Sequence, residues 1–220
     1  MIFENMDKIV FAGDSVTDMG SAQPVGDQMF DNLGQSYVRR IDNLLGSVYP
    51  ERYIRVINSG ISGNTSRDLL ARWERDVLRF DPQWVSICIG INDVWRQFDI
   101  PTAPEYACTP EEYRANLTAM LDSLKGRVKG AFLMTPWYME PNKQDFMRAR
   151  MEEYVNICRE LADAYDFVTL VDVQALFDRY FTIRHSAYIA WDRVHPNQVG
   201  ATLIAREFLS HCGFDYEHKF

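Results

Sequence analysis

Long apolar runs are missing from this 220-residue chain. None approaches the roughly twenty residues that a membrane-spanning helix needs, so no helical span is expected. Basic residues are in the minority: 23 Lys and Arg against 31 Asp and Glu leave a net charge of −8. Nucleic acid and anionic membranes both attract basic surfaces, so neither is expected as the main partner. Cysteine is scarce, and Cys88, Cys108, Cys158 and Cys212 are scattered without a Cys-x-x-Cys pair. That spacing supports neither a zinc site nor a disulfide framework. Three of the four sit in apolar periodic contexts and read as core filling. No Gly-x-Gly-x-x-Gly or P-loop follows the first apolar run, which argues against nucleotide binding. Residues Met1 to Asp7 lack a basic region, an apolar run and a small-residue cleavage site, so no signal peptide is read. A reducing cytoplasm is the simplest compartment, and no metal or other cofactor is expected.

What is present fits an α/β protein. The composition, 47% hydrophobic and 25% charged, is ordinary for a globular chain, and 220 residues suit one domain spanning 1–220. Five apolar segments read as strands: Ile9 to Gly13, Ile54 to Ile57, Trp84 to Ile89, Val128 to Met134 and Phe167 to Asp172. Helical spacing follows most of them. Tyr37, Val38, Ile41, Leu44, Leu45 and Val48 share one face, with Ser36 as a cap. A helix is expected over Thr65 to Phe80, another after Thr109-Pro110-Glu111-Glu112 with Glu112 completing a capping box, and a long one over about Asp145 to Tyr165. A shorter helix carries Ala175, Leu176 and Phe177. Pro196 opens the last, with Val199, Leu203 and Phe208 inward. The stretch from Gly20 to Gly34, with Pro24, Gly26 and Asp27, reads as irregular, and so does the connection from Asn92 to Thr109. Strands alternating with helices predict a parallel sheet covered on both faces.

In such a sheet, ligands bind beyond the carboxyl ends of the strands. Ser15 follows the first strand, Gly63 the second, Asn92 the third and Trp137 the fourth, while Asp192 and His195 lie beyond the fifth. A serine hydroxyl needs a base within hydrogen-bond reach to act as a nucleophile. An imidazole titrates near neutral pH, so His195 can take that proton. Asp192, three residues away, can fix the ring's tautomer. The oxyanion formed by attack needs waiting donors. The candidates are the amides of Ser15 and Gly63 and the side chain of Asn92. Taken singly, each has a plainer reading. Gly13-Asp14-Ser15 can be a capped turn, Gly60 and Gly63 turn glycines, and Asn92-Asp93 a helix cap. Asp14 and Asp18 read as organisers of the first turn. Trp95, Trp137, Tyr138, Tyr188 and Trp191 gather in the loops at the same edge, where aromatic faces serve equally for stacking on a sugar or for packing. Arg96 and Arg193 suit substrate hydroxyls or acidic partners.

Together the four blocks resemble the SGNH (GDSL-type) hydrolase superfamily. Gly13-Asp14-Ser15-Val16 is similar to its first block, with Val in place of the usual Leu, and Asn58 to Thr65 to its second. Gly90-Ile91-Asn92-Asp93 is similar to its third, with Ile91 for a glycine, and Asp192-x-x-His195 to its last. The resemblance implies a three-layer α/β/α flavodoxin-like fold with a five-stranded parallel sheet in the order 2-1-3-4-5. The segments Gly90 to Arg96, Met134 to Tyr138 and Trp191 to Pro196 extend it towards the superfamily's intracellular acetylxylan (xylo-oligosaccharide) esterases. That implies a serine esterase removing O-acetyl groups from small carbohydrates, often as a homo-oligomer. Trp95, Trp137, Tyr138 and Trp191 then stand as substrate contacts. The competing readings are a lysophospholipase or thioesterase of the same fold, and a non-enzymatic binding module.

Overall fold

The computed structural model describes residues 1–25 and 32–220. Gly26 and Asp27, expected in an irregular loop, lie outside the described residues.

Five strands pair in parallel in the order β2-β1-β3-β4-β5, as the resemblance implied. They are β1 (Lys8–Gly13), β2 (Arg55–Gly60), β3 (Trp84–Cys88), β4 (Gly130–Met134) and β5 (Val168–Val171). The central strands are apolar because helices cover both faces of the sheet, leaving no wet side for alternation. On one face, α2 (Tyr37–Val48) and α8 (Val173–Phe181) pack against α9 (Gln198–Ser210). On the other, α6 (Pro110–Leu124) lies between α3 (Ser66–Ala71) and α7 (Phe146–Ala164). The buried side chains form one continuous core, and the rings of Phe11 and Phe132 both pack tilted on that of Phe208. All four cysteines are buried and unpaired.

Several expectations about helices change. The segment 65–80 is not one helix: it breaks into α3, α4 (Trp73–Asp76) and a 3-10 turn, Leu78–Phe80. The first break falls at Arg72, whose φ of −107° and ψ of 7° leave the helical region while its side chain turns inward. A helix not anticipated, α5 (Ile91–Asp99), runs straight out of the Asn92 block. It has no side-chain cap and its N-cap is a glycine, so Asp93 in the first turn is a weak signal of where it starts. The capping box expected at Thr109 is only half made: Thr109 accepts from the Glu112 amide, while the Glu112 carboxylate pairs with Arg67. A complete box stands instead at Thr65 and Asp68. In α9, Asn197 rather than Pro196 caps the start, and Val199 is 40% exposed while Ile204, Ala205 and Leu209 point inward beside Phe208.

Parallel pairing brings three strand ends to one level. Gly13 is in register with Gly60 on one side and Cys88 on the other. The short helix α1 (Ser15–Asp18) leaves β1 so close to β2 that a Cβ on Gly60 would lie 2.2 Å from the Asp18 nitrogen. Only glycine fits there. Gly60→Ala is expected to destabilise the protein by about 1–3 kcal/mol through the backbone shift it forces. A lower urea midpoint with an unchanged slope is the measurement.

Candidate active site

Ser15 stands at the first position of α1, raised off the sheet by a turn that Asp14 caps: its Oδ1 accepts from the Val16 amide at 3.1 Å. Asn58, buried in β2, ties that turn down. Its Nδ2 donates to Thr17 O at 2.7 Å and to Leu33 O at 2.9 Å. Asp18 carries the tie across to the next loop, where its Oδ2 accepts from the hydroxyl and amide of Ser62. The serine turn and the Gly63 loop are thus one hydrogen-bonded unit.

Asp192 and His195 come from a single loop between the 3-10 turn Ser186–Tyr188 and α9. One carboxylate oxygen of Asp192 accepts from the amides of Val194 and His195, at 3.0 and 2.8 Å, and the other lies 2.6 Å from His195 Nδ1. A carboxylate only accepts, so the network assigns the ring proton to Nδ1 and leaves Nε2 as an acceptor. Nε2 is 2.8 Å from Ser15 Oγ. Burial works to raise the Asp192 carboxyl, but the hydrogen bonds from His195 and Val194 outweigh it and hold the group below the usual carboxylate range. It therefore remains an anion behind the ring. Between the two residues, Arg193 adopts φ 65°, left-handed backbone that costs a non-glycine residue energy. Its ion pair to Glu140, at 2.9 Å, and the bond from the Met139 amide to its carbonyl hold it there.

The three candidate oxyanion donors follow β1, β2 and β3 in turn. Among the described residues, neither the Ser15 amide nor the Gly63 amide donates to any protein group. Gly63 has φ 84°, a conformation glycine adopts without penalty. Asn92, in the first turn of α5, donates through Nδ2 to Asn64 O at 2.9 Å and retains a second N–H. Arg72 braces this edge from below: Nη2 donates to Gly13 O and Ser59 O, and Nε to Asn64 Oδ1 at 2.7 Å.

The aromatic side chains divide. Trp191 is 90% exposed and stands between two hollows. One, of about 300 Å³, is lined by Met19, Ile189 and His195; the other, of about 310 Å³, by Glu140, His185 and Arg193. Trp95 is half-buried, its ring 6.1 Å from that of His195. Tyr138 is half-buried, and it and Glu140 help to hold the Arg193 guanidinium above its ordinary value. Trp137 corrects the expectation of a stacking surface. It is only 2% exposed, packs edge to face on Phe177 and donates to Val194 O at 3.0 Å, so it fixes the backbone next to His195 and offers no face to a ligand. Asn58 and Arg72 were not singled out as site residues. Only the Arg72/Asp76 spacing of four along a helix hinted at a buried pair.

Two buried carboxyls lie beneath the serine. Asp93 accepts from the amide and hydroxyl of Ser66, and burial still pushes it up to about 6. Asp14, whose Oδ2 has no partner among the described residues, is pushed up to about 7 by burial and by the charge of Asp93. Both native values exceed the ordinary 3.8, so the folded state keeps protons that the unfolded chain has released. Their contribution to stability is full below about pH 4 and is lost as pH rises through 6 to 7. At about 1.4 kcal/mol per unit of displacement, ionising Asp14 costs roughly a few kcal/mol. Asp14→Asn should therefore gain on the parent by about 2 kcal/mol or more between pH 5 and pH 8, measured by urea unfolding across that range.

The GDSL-like lipase/acylhydrolase family matches this chain over residues 11–203. An acetylxylan esterase of Geobacillus stearothermophilus is 48% identical over 210 residues, 96% of this chain and 95% of that one. The crystal structure of Axe2, an acetylxylan esterase from the same organism, superposes with a TM-score of 0.96 at 46% identity over the whole of both chains. Serine-, aspartate- and histidine-to-alanine forms of Axe2, each described as a catalytic mutant, superpose equally well. LAE5, an α/β hydrolase from the metagenome of Lake Arreo in Spain, gives 0.94 at 44% identity over 97% of this chain and 98% of its own. With a family match across most of its length and relatives this similar, the chain belongs to the GDSL-like lipase/acylhydrolase family and is an ester hydrolase.

Proposed function

We propose that this protein removes O-acetyl groups from short acetylated xylo-oligosaccharides, with residues 1–220 acting as one domain. The observation that carries the proposal is the continuous line of hydrogen bonds from Asp192 through His195 to Ser15 Oγ. In this reading Ser15 attacks the acetyl carbonyl while Nε2 takes its proton. Asp192 stabilises the imidazolium, and the amides of Ser15 and Gly63 and the Asn92 side chain receive the oxyanion. The protonated ring then donates to the departing sugar oxygen. Water, activated by the same nitrogen, releases acetate from the acyl-serine. No step needs a metal ion.

The name borne by the Geobacillus relative supports the substrate class. The surroundings of Ser15 support it too: the hollow on one side of Trp191 is lined by Glu140, His185 and Arg193, and an exposed indole suits the apolar face of a pyranose ring. A lysophospholipase or long-chain thioesterase needs an extended apolar groove, whereas the two hollows hold about 300 and 310 Å³. Four buried thiols, none of them paired, fit work in a reducing cytoplasm. A homo-oligomer completes the proposal, and light scattering of the purified protein tests that part.

On acetylated xylo-oligosaccharides, mass spectrometry should show stepwise loss of acetyl groups, absent for Ser15→Ala. p-Nitrophenyl acetate should be cleaved much faster than the decanoate; preference for the longer ester sinks the deacetylase reading. Asn92→Ala should lower kcat by about 10²–10³.

A further inference from the structure

A primary amide is nearly symmetric in shape, yet its two ends are opposites: one only accepts hydrogen bonds and the other only donates. Reversing Asn92 about its last torsion would present an oxygen where negative charge must develop, turning a stabilising group into a repulsive one. Something must choose the end. The choice cannot come from solvent, because Asn92 is buried.

Two neighbours make it. Asn64 O, an acceptor, lies 2.9 Å from Nδ2. Arg96, one helical turn along α5, places Nη2 3.0 Å from Asn92 Oδ1. A guanidinium has no acceptor at all, so it tolerates only the amide oxygen. The arginine is itself held. Asp99 pairs with its other terminal nitrogen, and the Trp95 ring lies against the guanidinium at 5.3 Å. The amide's inventory is then complete: the oxygen is taken by Arg96, one N–H by Asn64, and the second N–H is left over. A cation on the oxygen also polarises the amide and makes the remaining N–H a stronger donor.

We infer that Arg96 is a positioning residue for ester cleavage, one that sets the polarity of the Asn92 amide and so aims its free N–H at the oxyanion. The inference rests on the oxyanion role proposed above for Asn92. Among the described residues no hydrogen bond joins Arg96 to Ser15 or His195, and its side chain keeps about a quarter of its surface in water, so its effect is smaller than that of removing Asn92.

A double-mutant cycle on p-nitrophenyl acetate tests it. Arg96→Met should lower kcat about tenfold and leave KM within about twofold, since the bond acts on the transition state and not on ground-state binding. Arg96→Lys, which keeps a cationic donor, should recover part of the loss. In the Asn92→Ala background, Arg96→Met should change nothing further, because the residue through which it acts is gone. A loss that persists in that background, or one that appears in KM, overturns the inference and makes Arg96 a substrate contact or a general support of the fold. An unchanged kcat in Arg96→Met, beside a full loss in Asn92→Ala, overturns it while sparing the oxyanion role. An Asn92→Ala enzyme as active as the parent removes both. Thermal midpoints of all four proteins separate these outcomes from misfolding. Should Arg96→Met fail to fold, Asp99→Asn, which frees the guanidinium without removing it, is expected to give a smaller loss of kcat of the same kind.

Discussion

Three parallel strands stop at one level, and the carbonyls left at their ends must find donors that no further strand supplies. In this protein that requirement builds the site. Gly13 O, at the end of β1, is met by the Ile61 amide at 3.1 Å and by the buried guanidinium of Arg72, which also reaches Ser59 O in β2; in α1, Thr17 O is met by the amide of Asn58. An unsatisfied buried carbonyl costs about 1–3 kcal/mol, so donors at these positions are demanded before any chemistry is considered, and Arg72 and Asn58 help to supply them. Both side chains also do positional work. The arginine that closes the strand ends braces Asn64, and the asparagine that fills the gap beside β2 pins the turn bearing Ser15.

Electrostatics around the serine is arranged in depth. Above the sheet edge, the Asp192 carboxylate has hydrogen bonds on both oxygens and stays charged. Below it, Asp14 and Asp93 are buried, and the charge of one disfavours the charge of the other. Negative charge there would oppose the oxyanion proposed at Ser15, so ionisation of this pair works against the proposed reaction as well as against the fold.

Much of this was readable beforehand, for identifiable reasons. The sheet order and the convergence of Ser15, Gly63, Asn92, Asp192 and His195 were legible because parallel strands put their carboxyl ends together and motif residues keep fixed chain positions. Helix boundaries were legible where caps are made by side chains, as at Ser36 and Asp145. They failed where a helix starts without a cap, at α5, or breaks for a tertiary reason, at Arg72. Trp137 was misjudged for a related cause. An indole at the end of a strand can face out or in, and only the position of Val194 O, 57 residues away in the chain, decides it. Arg96 was read as suiting substrate hydroxyls or acidic partners; its bond to Asn92 was not legible, because only in the helix α5 do the two lie one turn apart.

Asp192 and His195 lie three residues apart in one loop, whereas Ser15 lies 180 positions from His195. The bond between Asp192 and His195 is thus a local matter, while a 2.8 Å contact joins His195 to the first turn of the chain. Hydrolysis in this protein is accordingly a sensitive reporter of closure between its two ends. On the proposed mechanism, a disturbance that parts the last loop from the first turn breaks the line of hydrogen bonds to Ser15 while the bond between Asp192 and His195 remains.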